Sequence, residues 1–201
     1  MSTLDQLFKK VCNIFKNEVK DAASDLAYKA ANDKTKKVVF DSLPETVEQF
    51  KALPGADLKD PYKVAALAVV ALDTYGRDRE AALAMLDSLR GPRPLTQLDR
   101  TFINDRFMDG NDYVLRSYFE GTSPENDYTP SLPYTIKVME HAPSRDNYSQ
   151  GYLRLYLRSS GADSERFIDL RHKPSTDQWF VWEYEGLMPG IRIPQSKDAW
   201  A

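Results

Sequence analysis

The sequence predicts an α+β protein, with N-terminal helices followed by an antiparallel sheet of about four strands. Apolar residues recur every three or four positions through the first half of the chain, which is helix spacing. From residue 134 onward the period shortens to two. Aromatic residues crowd the second half, with 16 of the 23 lying from Phe102 onward, and such rings favour pleated surfaces.

The first helix is expected over residues 1–33. Leu4, Leu7, Phe8, Val11, Ile14, Phe15, Val19, Leu26 and Ala30 form one apolar stripe, and lysines cover the opposite side. Charges cluster at residues 32–37, which read as a linker. The α+β domain is expected over 38–201, with helices at 42–108, an ordered loop at 109–133 and the sheet at 134–193. Ser42 with Glu45 has capping-box spacing and opens a short helix stopped by Pro54. Asp60-Pro61 is a cap and first-turn proline before PYKVAALAVVALDTY, a run so apolar that it must be buried. Residues 80–89 form a further amphipathic helix closed by Gly91-Pro92. Thr96 with Asp99 caps the last one, with Leu98, Phe102, Ile103 and Phe107 on one side.

The segment RFMDGNDYVLRSYFEGTSPENDYTPSLPY has neither period, yet it carries Phe107, Tyr113, Tyr118, Phe119, Tyr128 and Tyr134. A long loop within a compact chain is either disordered or functional, and disordered segments are poor in rings. An ordered surface loop is therefore expected. Strands follow at 134–140, 152–158, 166–173 and 178–184, with the turn Pro174-Ser175-Thr176-Asp177 before the last. In the second strand Leu153, Leu155 and Leu157 share one face. Ile191 and Ile193 suggest a short final strand, and Trp200 is expected against the body.

The net charge of the 201-residue chain is −3, divided as +3 over residues 1–40 and −6 over the rest. This balance argues against nucleic acid, whose affinity is dominated by phosphate contacts. The single cysteine, Cys12, excludes an intramolecular disulfide framework. No window approaches the ~20 apolar residues of a membrane-spanning helix. No signal-peptide pattern opens the chain, so a cytoplasmic location is expected.

Strong catalytic motifs are missing from the sequence: no phosphate loop, HExxH, CxxC pair or nucleophile elbow is present. His141 and His172 share no metal-ligand spacing, and no cofactor or metal is expected. Asp105, Asp109 and Asp112 are the candidate acid–base or metal carboxylates, although a helix terminus followed by a turn explains them equally. Arg106, Tyr113, Arg116, Tyr118 and Tyr128, with Trp182 and Arg192 nearby, form the candidate binding surface, because Arg and Tyr are enriched in hot spots. The bland alternative has the tyrosines covering the sheet and the arginines paired with loop acids. The leading expectation is a non-catalytic binding protein that uses this loop. One alternative is a hydrolase or metal-dependent enzyme using the carboxylates. The other is a structural protein that self-associates through residues 1–33.

Two segments, RFMDGNDYVLRSYFEGTSPENDYTPSLPYTI and WEYEGLMPGIRIPQSKDAWA, resemble a family of uncharacterised bacterial proteins of Firmicutes type, a domain of unknown function. The resemblance covers residues 42–201 and implies no activity, substrate or cofactor. The order of elements is also similar in pattern to cystatin-like and nuclear-transport-factor-like sheets. Folds of that kind host binding proteins and enzymes alike.

Overall fold

In the computed structural model, which describes residues 34–200, one helix buried along all but its first turn organises the chain. Its sequence PYKVAALAVVALD lacks a polar face, so it is stable only with apolar surface on every side. Asp60 caps it by accepting from the Tyr62 N–H at 3.1 Å, and Pro61 occupies a first-turn position that needs no donor. Every residue from Val64 to Asp73 is buried. Each Leu or Val among them contributes about 1.5–3 kcal/mol relative to exposure.

The elements in chain order are β1 (Lys34–Phe40), α1 (Val47–Lys51), α2 (Pro61–Asp73, the buried helix), α3 (Arg79–Arg90), α4 (Gln97–Phe107), β2 (Tyr134–Glu140), β3 (Tyr152–Leu157), β4 (Arg166–Lys173) and β5 (Gln178–Glu183). Among the described residues the strands form one antiparallel sheet in the order β1-β2-β3-β4-β5. The inner face carries Val38, Ile136, Val138, Leu153, Leu155, Leu157, Ile168, Leu170, Trp179 and Val181, all buried. α2 packs on that face, and α3 packs on α2 and reaches β5. The alternate residues of β3 to β5 face outward and are half-buried.

The architecture is the α+β arrangement that the sequence predicts. The expected strands after residue 133 match β2 to β5 to within a residue. The fifth strand is β1, where Lys34 to Lys37 pair with β2 instead of forming a linker. Their charge misleads because lysines on an edge strand discourage pairing with another chain. The expected helix over 1–33 and Cys12 lie outside the described residues.

Local details also differ from expectation. Ser42 does not cap α1. Thr46 does, accepting from the Gln49 N–H, because Pro44 disfavours helical geometry at Leu43. The Thr96–Asp99 capping box of α4 is present in both directions, but Leu98 is exposed. No strand forms at 191–193, where Pro189 and Pro194 remove ladder donors. Trp200 is exposed, and its backbone N–H donates to the Asp198 carboxylate at 2.9 Å.

One irregularity bears on function. β2 and β3 pair only at Val138↔Leu157 and Met139↔Tyr156. Beyond that point residues 117–122 wedge between them. Phe119 bridges Ile136, the Glu120 N–H donates to the Thr135 carbonyl at 2.8 Å, and the Ser160 N–H donates to the Ser117 carbonyl at 2.9 Å.

Candidate functional site

Residues 108–133 form an ordered chain of short 3-10 turns, and their rings point inward. Tyr113, Tyr118 and Tyr128 are all buried. The Tyr118 hydroxyl donates to the Leu187 carbonyl at 2.5 Å, and the Tyr128 hydroxyl donates to the Arg192 carbonyl at 2.7 Å. Burial pushes the Tyr128 phenol up to about 12 and raises that of Tyr118 further. Tyr113 stacks on Tyr128 at 5.5 Å with 13° between the ring planes. An exposed aromatic surface on this segment is therefore not what the structure presents. Each ring found an internal acceptor or partner, which makes burial cheaper than exposure.

The arginines expected beside them are dispersed. Arg106 lies over Phe102 at 4.9 Å, and Arg192 pairs with Asp163. Arg116 reaches the buried Asp73 carboxylate at 3.5 Å, and Arg77 holds the other oxygen at 2.8 Å. The carboxylates are dispersed too. Asp105, Asp109 and Asp112 are all exposed, and Asp112 pairs with Lys197 at 3.3 Å. Asp109 sits in the left-handed region, so this stretch is a helix terminus followed by a turn. No cluster of three potential metal ligands occurs among the described residues.

Trp182 belongs to a different place, a cleft of about 380 Å³ on the outer face of the sheet. Its floor is Tyr152, Arg154 and Tyr156 of β3, Asp169 of β4, and Trp182 and Glu183 of β5; residues 143–150 supply the wall. Cross-strand register sets the floor: Tyr152 faces Arg171, Arg154 faces Asp169 and Tyr156 faces Phe167. Arg154 grips both oxygens of Asp169, at 2.7 and 2.6 Å, and lies 4.0 Å from the Phe167 ring centre. That grip raises the pKa of the guanidinium. Arg171 covers Tyr152 at 4.1 Å and Arg93 covers Trp182 at 4.3 Å. Tyr152 and Trp182 meet edge-to-face at 5.7 Å. A register shift at Asp169/Leu170 inserts Trp182 into β5 as an extra residue, which re-aims its indole.

The wall is tied to the core. Glu140, buried at the end of β2, accepts from Arg145 of the wall and from the Tyr62 hydroxyl of α2. Burial opposes the charge on Glu140, but the bonds from Arg145 and Tyr62 outweigh it and hold the carboxyl below its usual range. Burial, and after it the Glu140 carboxylate, push the Tyr62 phenol up to about 12. His141 packs on Tyr156 at 4.7 Å and contacts Glu165 at 2.7 Å.

Among these side chains, the sequence analysis singled out Trp182 for binding but passed over Tyr152, Arg154, Tyr156 and Asp169. The available signal was the alternation of 152–158, which puts Arg154 and Tyr156 on the face opposite the leucines.

A family model described as a domain of unknown function, DUF6935, matches residues 42–195. The chain belongs to this family. No curated protein and no solved structure matches it. The DUF6935 match takes in the whole outer-face cleft and the 108–133 segment, and β1 precedes it.

Proposed function

We propose that this DUF6935 protein is a non-catalytic binding protein, and that it seats a small, hydroxyl-rich, uncharged ligand in the outer-face cleft. The observation that supports this reading is the mixture of groups lining one open cavity. Ring faces of Tyr152, Tyr156 and Trp182 alternate with the carboxylates of Asp146 and Glu183 and the amides of Asn147 and Gln150. Pockets for small ligands combine apolar surface with a few placed polar groups of this kind. Carboxylates accept from hydroxyl donors, amides serve either role, and rings cover apolar faces.

The charges of the cleft favour neither an anion nor a cation, because the acids Asp146, Asp169 and Glu183 are matched by Arg154 and by Arg93 and Arg171 over the floor rings. Catalysis by an acid–base pair is disfavoured by the same geometry. Arg154 occupies both oxygens of Asp169, so that carboxylate is engaged within the sheet. The earlier carboxylate candidates Asp105, Asp109 and Asp112 lie outside this cleft.

Titration of the full chain with a panel of neutral mono- and oligosaccharides, followed by tryptophan fluorescence and amide chemical shifts, tests the reading. At least one member is expected to perturb Trp182 and the amides of 143–156 saturably, and Trp182→Ala is expected to weaken that binding about tenfold, as for a hot-spot ring. A flat response across the panel, or binding indifferent to Trp182→Ala, would overturn it.

A further inference from the structure

The wedge of residues 117–122 creates a second pocket, at the opposite end of the sheet from Trp182. It measures about 420 Å³ and is lined by Lys37, Lys137, Glu120, Arg158, Thr122 and Ser160, among others. Three cationic side chains reach it from three separate places in the chain. Lys37 on β1 and Lys137 on β2 are directly opposite in register, and both are exposed. Like charges so placed repel, so something must compensate them. Glu120 does so in part. Lys37 approaches its two oxygens at 2.9 and 3.2 Å, and Lys137 approaches Oε1 at 3.1 Å. The hydrogen bond from Lys37 is the leading cause that holds the Glu120 carboxyl below its usual range.

One carboxylate does not balance the pocket. Arg158, just beyond β3, is exposed and has no ion-pair or hydrogen-bond partner among the described residues. The side chains named above thus leave an excess of two positive charges. The neighbouring hydroxyls are committed to the backbone: Thr122 donates to the Phe119 carbonyl at 2.7 Å and Ser160 to the Ser117 carbonyl at 3.1 Å, which fixes the rim of the pocket. Convergent ammonium and guanidinium donors around an open cavity are the chemistry that binds tetrahedral or planar oxyanions.

We propose that this pocket binds a compact oxyanion, a phosphoryl or carboxylate group, through Lys37, Lys137 and Arg158. Arg158 supplies the uncommitted planar donor set, and the two lysines supply the field. Glu120 keeps the lysines together when the pocket is empty and limits affinity when it is filled. This site is independent of the aromatic cleft, and neither reading requires the other.

The test is an amide chemical-shift titration of the full chain at low ionic strength, with inorganic phosphate in one arm and acetate in the other. Saturable shifts are expected at Gly121, Thr122 and Ser160, with a Kd on the order of 1 mM. A preference for phosphate assigns the phosphoryl class, a preference for acetate assigns the carboxylate class, and added chloride should weaken either. Arg158→Gln is expected to weaken binding about tenfold with the thermal midpoint unchanged, because Arg158 has no folded-state partner to lose. Glu120→Gln is expected to move affinity the other way, severalfold tighter, an effect that a purely structural ion pair would not produce. Absence of saturable shifts in the unsubstituted protein, or equal binding by Arg158→Gln, would overturn the proposal. The Trp182 signal is read separately, so failure here and failure of the cleft reading are distinguishable.

Discussion

The 108–133 segment and the outer-face cleft are both rich in rings, yet they do opposite things with them. Tyr118 and Tyr128 turn inward and donate their hydroxyls to the carbonyls of Leu187 and Arg192. Tyr152 and Trp182 stay at the surface, each with an arginine laid over it. The difference is where the polar tip goes. A tyrosine whose hydroxyl finds a buried acceptor can spend its whole ring on the core. A ring on the outer face of a one-sided sheet has no second layer to enter, so it is left half-covered by cations. The density of aromatic residues identifies both regions, but it does not give the direction of either.

The sharpest way to break this contrast is to delete one ring from each region. Tyr128→Ala removes a fully buried side chain that packs against Gly161 and stacks on Tyr113. It is expected to cost about 3–5 kcal/mol, as for other large aromatic deletions in cores. Trp182→Ala should cost about 1 kcal/mol, mainly its contact with the Arg93 guanidinium. Urea midpoints at unchanged slope measure both. Equal losses would show that the outer face is core after all.

Much of the scaffold was legible in the sequence because local rules and tertiary needs agree there. The Asp60-Pro61 cap, the predominantly apolar α2 and the Thr96–Asp99 box each read correctly from a few residues. β3 to β5 read correctly because one face is buried and alternates with a half-buried one. β1 was hidden because its burial pattern is exposed at five of seven positions, so only pairing with β2 makes it a strand. The cleft was hidden for a different reason. Tyr152, Arg154 and Asp169 meet through cross-strand register, and Trp182 joins them through a bulge. Neither register nor bulge is written in the spacing of one strand.

An intermediate effect is expected at Glu140, which joins the two regions' surroundings by holding the cleft wall to α2. Glu140→Gln should cost about 1.5–3 kcal/mol, the range for hydrogen bonds to a charged group. The sign of its pH dependence follows from the depressed carboxyl. A carboxylate whose folded pKa lies below its unfolded value stabilises the fold above the unfolded value, about 4.3 for Glu. That contribution is lost as pH falls through the folded value. The acid limb of the stability curve should therefore be shallower in Glu140→Gln than in the unsubstituted protein. Thermal midpoints across the acid range check this, and parallel limbs would refute it.

The smallest change probes the polar tip itself. Tyr118→Phe keeps the ring and removes only the hydroxyl that donates to the Leu187 carbonyl. The carbonyl is buried with Leu187, so the expected cost is about 1 kcal/mol or somewhat more, the penalty for leaving an acceptor unmet. Tyr152→Phe makes the same chemical change at the outer face, where no described residue accepts from that hydroxyl. Its expected effect on stability lies within about 0.5 kcal/mol, as for most surface substitutions. Any weakening of saccharide binding by Tyr152→Phe, with folding unaffected, would then locate a ligand contact at that oxygen. If the two substitutions cost the same, the internal acceptor is not what turns the rings of residues 108–133 inward.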